Sequence, residues 1–291
     1  MFSGVYTALI TPFKDGKVDF DAFGALIENQ YKNGVSGLVP CGTTGESPTL
    51  SYEEHEAVIE FCVKRSNGRM KVLAGTGSNS TDEAIHFTEF AKKVGCDGAL
   101  LVSPYYNKPT QKGLYLHFKA VADAVNIPVV LYNIAGRTSV NIEPATVAKL
   151  CKDCKNIVGV KEASGSLGQM SAIKALTPGI DLMSGDDALT LPLLAVGGCA
   201  VISVLSNILP AEVVSLVKAF EGGNVKEAVN IHYRLLPLVN AMFIETNPVP
   251  VKTAASMLGI CSLELRLPMC EMEEANKLKL EKAMKDFGLL K

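Results

Sequence analysis

The chain has 291 residues, 48% of them hydrophobic, and a formal charge of −2, with 28 Lys and Arg set against 30 Asp and Glu. That length supports one large α/β domain or two small ones, and basic residues scattered among acids exclude a nucleic-acid footprint. No apolar run is long enough to span a bilayer, and Met1–Phe13 lacks the charged start and apolar stretch of a signal peptide, so a cytoplasmic protein with no membrane contact is expected.

Val5 to Phe13 reads as a strand, and Asp19 to Tyr31 carries the 3.6-residue period of a helix. Ser36 to Cys41 is the next strand, followed by the turn Gly42-Thr43-Thr44-Gly45-Glu46-Ser47. Ser51 with Glu54 three residues on has the pattern of a capping box and starts a helix. Lys71 to Gly75 is strand three, and Thr81 is expected to cap the helix Asp82 to Val94. Gly98 to Ser103 leads into Pro104-Tyr105-Tyr106-Asn107, and Gln111 to Val125 is helical. Pro128 to Tyr132 is strand five, ending in Asn133-Ile134-Ala135-Gly136-Arg137-Thr138. A helix over Glu143 to Cys151 precedes the apolar, β-branched strand that ends at Lys161. Ser166 to Leu176 is helical, Asp181 to Ser184 is a short strand before Gly185-Asp186-Asp187, and Ala188 to Val196 is a helix. Ala200 to Leu205 is the last strand, and Pro210 stands in the first turn of the helix that follows, where its missing N–H costs nothing.

Eight strand-then-helix units without a linker-like break predict a parallel sheet closed into a (β/α)8 TIM barrel over residues 1–223. An open doubly wound sheet is the competing architecture, but it wants a glycine-rich nucleotide turn after an early strand, and no GxGxxG occurs. Residues 224–291 read as a C-terminal extension of three helices, around Asn224–Phe243, Pro250–Leu258 and Met272–Phe287. Eight cysteines in a chain this long do not form a disulfide scaffold. Cys151 and Cys154 have metal or redox spacing, yet no second pair or nearby histidine completes a site, and the four histidines are dispersed. No metal and no separate cofactor are expected.

Lys161 is the organising residue, because a lysine on a buried strand is uncommon unless something compensates it. If it snorkels to solvent it is an ordinary strand-end lysine. If it faces the barrel it is an amine able to attack a carbonyl. Strand parity favours the second: with Val158 and Val160 toward the helices, Gly159 and Lys161 point inward, and the glycine leaves room beside the stem. Thr43, Thr44, Tyr106, Tyr132, Arg137, Lys161 and Gly185 then converge at the C-terminal face of the barrel. Phenol and hydroxyl groups near an amine suit carbinolamine formation and dehydration to a Schiff base. The Gly42–Gly45 turn can offer backbone N–H groups to a carboxylate, although a plain tight turn fits it equally. Arg137 can grip a second carboxylate in bidentate fashion.

Gly42-Thr43-Thr44-Gly45-Glu46, the Tyr132-Asn133 turn with Arg137, and Val160-Lys161-Glu162-Ala163 together resemble the dihydrodipicolinate synthase family of pyruvate-dependent, class I aldolase-like lyases, over essentially the whole chain. The resemblance implies condensation of pyruvate with aspartate semialdehyde, the first committed step of diaminopimelate and lysine synthesis. It implies Lys161 as the Schiff-base residue, Tyr132 as proton donor and acceptor, Thr43 as relay, and Tyr106 completing the relay from a neighbouring subunit of a homotetramer. Thr44 and the backbone at Ile202 are implied in pyruvate binding and Arg137 in holding the semialdehyde carboxylate, with Gly185 expected among the substrate-binding residues. Ala135 stands where the family usually has proline, which frees φ and restores an N–H in the turn before Arg137. The resemblance also matches Ser47, His55, Asn79, Glu83 and Tyr105 to a site for feedback inhibition by L-lysine, with Tyr52 in place of a histidine found in some members. The alternatives are another lyase on the same scaffold, such as N-acetylneuraminate lyase or a keto-deoxy-sugar-acid aldolase, and a non-catalytic barrel that binds a keto acid.

Overall fold

Segments in which apolar and β-branched residues run together pair in parallel and close on themselves. They are β1 (Gly4–Ala8), β2 (Gly37–Val39), β3 (Lys71–Gly75), β4 (Gly98–Val102), β5 (Val129–Asn133), β6 (Ile157–Glu162), β7 (Asp181–Ser184) and β8 (Ala200–Ser203). The computed structural model describes residues 1–291. Spatial order follows chain order, and β1 closes the barrel against β8 in the register Gly4–Ala200 to Thr7–Ser203. Helices follow the strands in turn: α1 (Phe20–Lys32), α2 (Tyr52–Ser66), α3 (Thr81–Val94), α4 (Gln111–Ala124), α5 (Pro144–Asp153), α6 (Leu167–Leu176), α7 (Thr190–Ala195) and α8 (Pro210–Glu221). This is the (β/α)8 barrel expected from the alternation. No helix is long and apolar enough to cross a membrane.

The period of two divides each strand between two environments. Tyr6, Val39, Leu73, Leu100, Val130, Tyr132, Met183 and Ile202 fill the barrel interior, while Ala99, Leu101, Val129, Leu131, Val160 and Leu182 pack under the helices. The capping box of Ser51 and Glu54 opens α2, and Pro210 sits in the first turn of α8.

Local details depart from the sequence expectations. The first strand stops at Ala8; Phe13–Lys14 and Lys17–Val18 form a separate hairpin at the other end of that loop. Asp15 (φ 53°) and Gly16 (φ 77°) are both left-handed, as a two-residue hairpin turn that follows strand twist requires. Ser80, not Thr81, caps α3, and the Thr81 hydroxyl instead meets His117 Nδ1 at 2.9 Å. Val158 does not face the helices: the pairing shifts from Val129–Ile157 to Val130–Gly159, so Val158 is the extra residue of a bulge and packs toward the interior. Beyond the bulge the alternation resumes, with Val160 outward and Lys161 inward, between Tyr132 of β5 and Met183 of β7.

The C-terminal helices α9 (Val225–Ala241), α10 (Val249–Met257) and α11 (Glu274–Phe287) bury Ile231, Leu235, Val251, Leu280 and Met284 in one cluster with Val5, Leu9 and Leu38 of the barrel. Charges reinforce the junction. Lys252 of α10, fully buried, meets Glu46 Oε1 at 2.5 Å. The backbone N–H of Arg266 reaches Glu46 Oε2 at 3.2 Å, and its guanidinium grips Glu54 through two bonds of 2.5 and 2.6 Å. Removing one partner of the buried Lys252–Glu46 pair costs about 3–5 kcal/mol. Glu46 belongs to the turn after β2, so this region braces the barrel at the end where the strands open.

Candidate active site

Lys161 and Tyr132 are the penultimate residues of β6 and β5 and stand opposite one another in register. Lys161 is only 6% exposed, and its Nζ lies 4.1 Å from the centre of the Tyr132 ring. The aromatic face supplies about 2 kcal/mol to a desolvated cation, and no carboxylate ion-pairs with the amine, whose reach stays open to a ligand. The nearest acid in sequence, Glu162, points the other way. It accepts bonds from Asn133 Nδ2 at 3.0 Å, Ser164 N at 2.7 Å and Gln169 Nε2 at 2.8 Å on the helix side. Asn133 adjoins Tyr132 as Glu162 adjoins Lys161, so this bond also fixes the two inward side chains relative to each other.

The space beside the lysine stem comes from Gly185. A Cβ there would lie 2.7 Å from Ala163 Cβ and 3.0 Å from Lys161 Cε, and its N–H donates to Glu162 O at 2.9 Å. Gly159, assigned that part from the sequence, makes room for its neighbouring strands instead: a Cβ at Gly159 would lie 3.0 Å from Asp181 O and 3.2 Å from Val130 Cγ2. A cavity of about 480 Å³ opens over this point, lined by Ile134, Arg137, Ala163, Gly185, Asn240 and Phe243. The last two come from α9 and the turn after it.

Thr43 and Thr44 sit in the turn after β2. Left-handed backbone at Cys41 (φ 54°) and Glu46 (φ 55°) shapes the turn, and β3 makes room for it, since a Cβ on Gly75 would lie 2.2 Å from Cys41 O. Thr44 Oγ1 accepts a bond from Asn247 Nδ2 at 3.0 Å. Arg137 is in the single helical turn Ala135–Thr138, closed by bonds from Arg137 N, Thr138 N and Ser139 N to Ile134 O and Ala135 O. Alanine at 135 therefore supports a regular turn, and Arg137 Nη2 is anchored on Asn247 O at 2.9 Å. Ile202 lies in β8, fully buried in the interior layer with Tyr132.

One expected member stands apart. Tyr106 is 91% exposed, in left-handed backbone (φ 74°), and does not enter this chain's own cavity. Thr43 lies in the turn after β2 with its side chain only partly covered. Asn247 and Phe243 were missed from the sequence, although Asn247-Pro248 is a turn signal that could have marked the place.

A second cluster lies on the outer side. His55 is buried, its Nε2 2.8 Å from Gly75 O and its ring stacked 4.0 Å from Phe87; burial pushes its pKa down to about 4. It is neutral at pH 7, leaving Nδ1 as an acceptor. Ser78 Oγ donates to Glu83 Oε2, and Asn79 Nδ2 donates to Tyr105 O at 3.1 Å. Burial and then the Glu83 carboxylate raise the Tyr105 phenol. His55, Asn79, Glu83 and Tyr105 thus share one patch with Tyr52, whose ring lies 4.9 Å from that of Phe87, and with Ser78 and Phe87 as members the sequence did not suggest. Ser47 remains in the turn ahead of α2, half-buried and outside those hydrogen bonds.

Residues 1–287 match the model of the dihydrodipicolinate synthetase family. Along the full length of both chains the sequence is 79% identical to the 4-hydroxy-tetrahydrodipicolinate synthase of Endomicrobium trichonymphae. The crystal structure of dihydrodipicolinate synthase from Aquifex aeolicus superposes with a TM-score of 0.97 at 53% identity, covering 99% of each chain. The corresponding enzyme of Cyanidioschyzon merolae, solved with lysine bound, superposes at 0.96 and 43% identity, again over 99% of each chain.

The fit around Gly185 yields a test. Gly185→Ala is expected to fold and keep its far-UV circular dichroism, while the displaced Lys161 stem lowers kcat/KM for pyruvate by about 10²-fold. A variant with wild-type kcat/KM would show that the stem needs no such space.

Proposed function

The chain belongs to the dihydrodipicolinate synthetase family and has 4-hydroxy-tetrahydrodipicolinate synthase activity, condensing pyruvate with L-aspartate 4-semialdehyde in the diaminopimelate route to lysine; from that premise we propose how its residues divide the chemistry. The observation that carries the assignment is the inward, unpaired amine of Lys161 against the Tyr132 ring. Once its ammonium has given up a proton, the lone pair of Lys161 adds to C2 of pyruvate, and a second proton leaves the nitrogen as the carbonyl oxygen takes one. The carbinolamine then expels that oxygen as water and leaves an imine. Tyr132 is the donor and acceptor of those protons. Loss of a proton from C3 gives the enamine, whose C3 attacks the aldehyde carbon of the second substrate.

Thr44, Gly185 and the backbone at Ile202 hold pyruvate. Arg137, with guanidinium N–H groups left over from its bond to Asn247, holds the semialdehyde carboxylate in the cavity above. Thr43 relays protons between Tyr132 and Tyr106, the latter supplied by a neighbouring copy of the chain. An exposed tyrosine held in left-handed backbone suits a side chain that reaches into another subunit, and a homotetramer built as a dimer of dimers provides that contact. The eight free thiols fit a reducing, cytoplasmic setting.

In an assay coupled to consumption of the product, Lys161→Arg should give no turnover above background, because a guanidinium does not form the imine. Tyr106→Phe should lose kcat by about 10²-fold while still binding pyruvate. A stable monomer with full activity, measured by sedimentation alongside the assay, would overturn the shared site.

L-Lysine is proposed as a feedback inhibitor at the outer cluster. Glu83 pairs with its α-amino group, Asn79 and Tyr105 bond its carboxylate, and the neutral His55 with Ser47 receives the ε-ammonium. The lysine-bound relative from Cyanidioschyzon merolae supports this. Because Tyr105 adjoins Tyr106, binding there acts on the relay and gives partial, non-competitive inhibition against pyruvate. With His55 depressed to about 4, its cationic form is absent until well below its ordinary titration range. Calorimetry with millimolar L-lysine should show binding with no inflection at pH 6.5. An absence of heat together with unchanged rates would reject the site.

A further inference from the structure

Asn247 is buried between the barrel and the C-terminal helices, ahead of α10. It touches both carboxylate-binding groups at once. Its side-chain Nδ2 donates to Thr44 Oγ1 at 3.0 Å, and its backbone carbonyl accepts from Arg137 Nη2 at 2.9 Å. Its other side-chain polar atom, Oδ1, is buried without a partner in the protein.

The orientation has a chemical consequence. With Nδ2 turned to Thr44, the threonine oxygen is used as an acceptor and its hydrogen is left to donate to a ligand. Turned over, the amide oxygen would take that hydrogen, and Thr44 would present only lone pairs to an incoming carboxylate. The position of Asn247 is itself enforced: Lys252, five residues on, is tied to Glu46, two residues beyond Thr44. The Thr44 turn and the Asn247 segment are thereby locked together from both sides.

We propose that Asn247 is a positioning residue for the condensation: its side-chain amide aims the Thr44 hydroxyl at the pyruvate carboxylate, while its backbone carbonyl sets Arg137 for the second substrate. This deepens the assignment of Thr44 and Arg137 made above and rests on it. The C-terminal segment thus supplies a part of the site rather than only a brace, and its two contacts are separable, since a side-chain substitution removes one and spares the other.

Steady-state kinetics of Asn247→Ala, Asn247→Asp, Thr44→Val and the Thr44→Val/Asn247→Ala pair test it. Asn247→Ala should raise KM for pyruvate about tenfold. It should leave kcat and KM for the semialdehyde within about twofold, because the backbone contact to Arg137 survives. Asn247→Asp, nearly isosteric and an acceptor at both oxygens, should raise pyruvate KM further and keeps the test usable where the alanine variant folds poorly. The double variant should be no worse than Thr44→Val, the signature of two groups acting through one contact. Unchanged pyruvate KM in both Asn247 variants, with Thr44→Val impaired, overturns the role of Asn247. An unimpaired Thr44→Val overturns instead the assignment of Thr44 on which it rests. Equal rises in both substrates' KM would mark Asn247 as structural and overturn the separable roles.

Discussion

The site depends on a buried amine that its own protein leaves unpaired. The chain buries two lysines in its interior, and they differ in one respect. Lys252 is fully buried against Glu46 at 2.5 Å, an ion pair that occupies its ammonium and makes it part of the scaffold. Lys161 is buried against the face of Tyr132 with no carboxylate in reach. A buried charge without a partner is costly and persists only where the surroundings impose it. Here strand alternation imposes it: the carboxylate of Glu162 is turned to the opposite face of β6 and occupied there by Asn133, Ser164 and Gln169.

The same contacts set geometry. Asn133 and Glu162 join β5 to β6 directly behind Tyr132 and Lys161, so the amine and the phenol ring are registered by a bond on the opposite face of the strands. Around the mouth, the turn after β2 is held by Lys252 and Arg266 through Glu46, and Arg137 by the carbonyl of Asn247. Rigid support behind each of these groups is what the proposed chemistry requires, since in catalysis a displacement of an ångström costs about 10²-fold in rate.

What could be read from the sequence is what local pattern determines. Alternating strand and helix periods and the Ser51–Glu54 cap are local, and the barrel follows from them. The Asp15–Gly16 turn was also local, but the apolar run through Phe13 masked it, and a strand was extended across a hairpin. The bulge at Val158 was not legible, because a β-branched run has the same appearance with or without an extra residue. Lys161 nonetheless faces inward, since the bulge precedes it and alternation resumes before it. The space beside its stem was credited to Gly159 in its own strand, whereas it belongs to Gly185 of the next one. The Asn247-Pro248 turn signal marks a turn but not its contact: the partner Thr44 is 203 residues away in the chain, and only the closure of the C-terminal helices over the barrel brings them together.

The most direct measurement is peptide mapping by mass spectrometry after borohydride reduction in the presence of pyruvate. An imine formed by the unpaired amine is reduced to a stable three-carbon adduct, whereas the paired amine of Lys252 is not free to form one. Modification at Lys161 alone is the predicted result. An adduct on Lys252 or on any other lysine, with Lys161 unmodified, would contradict it.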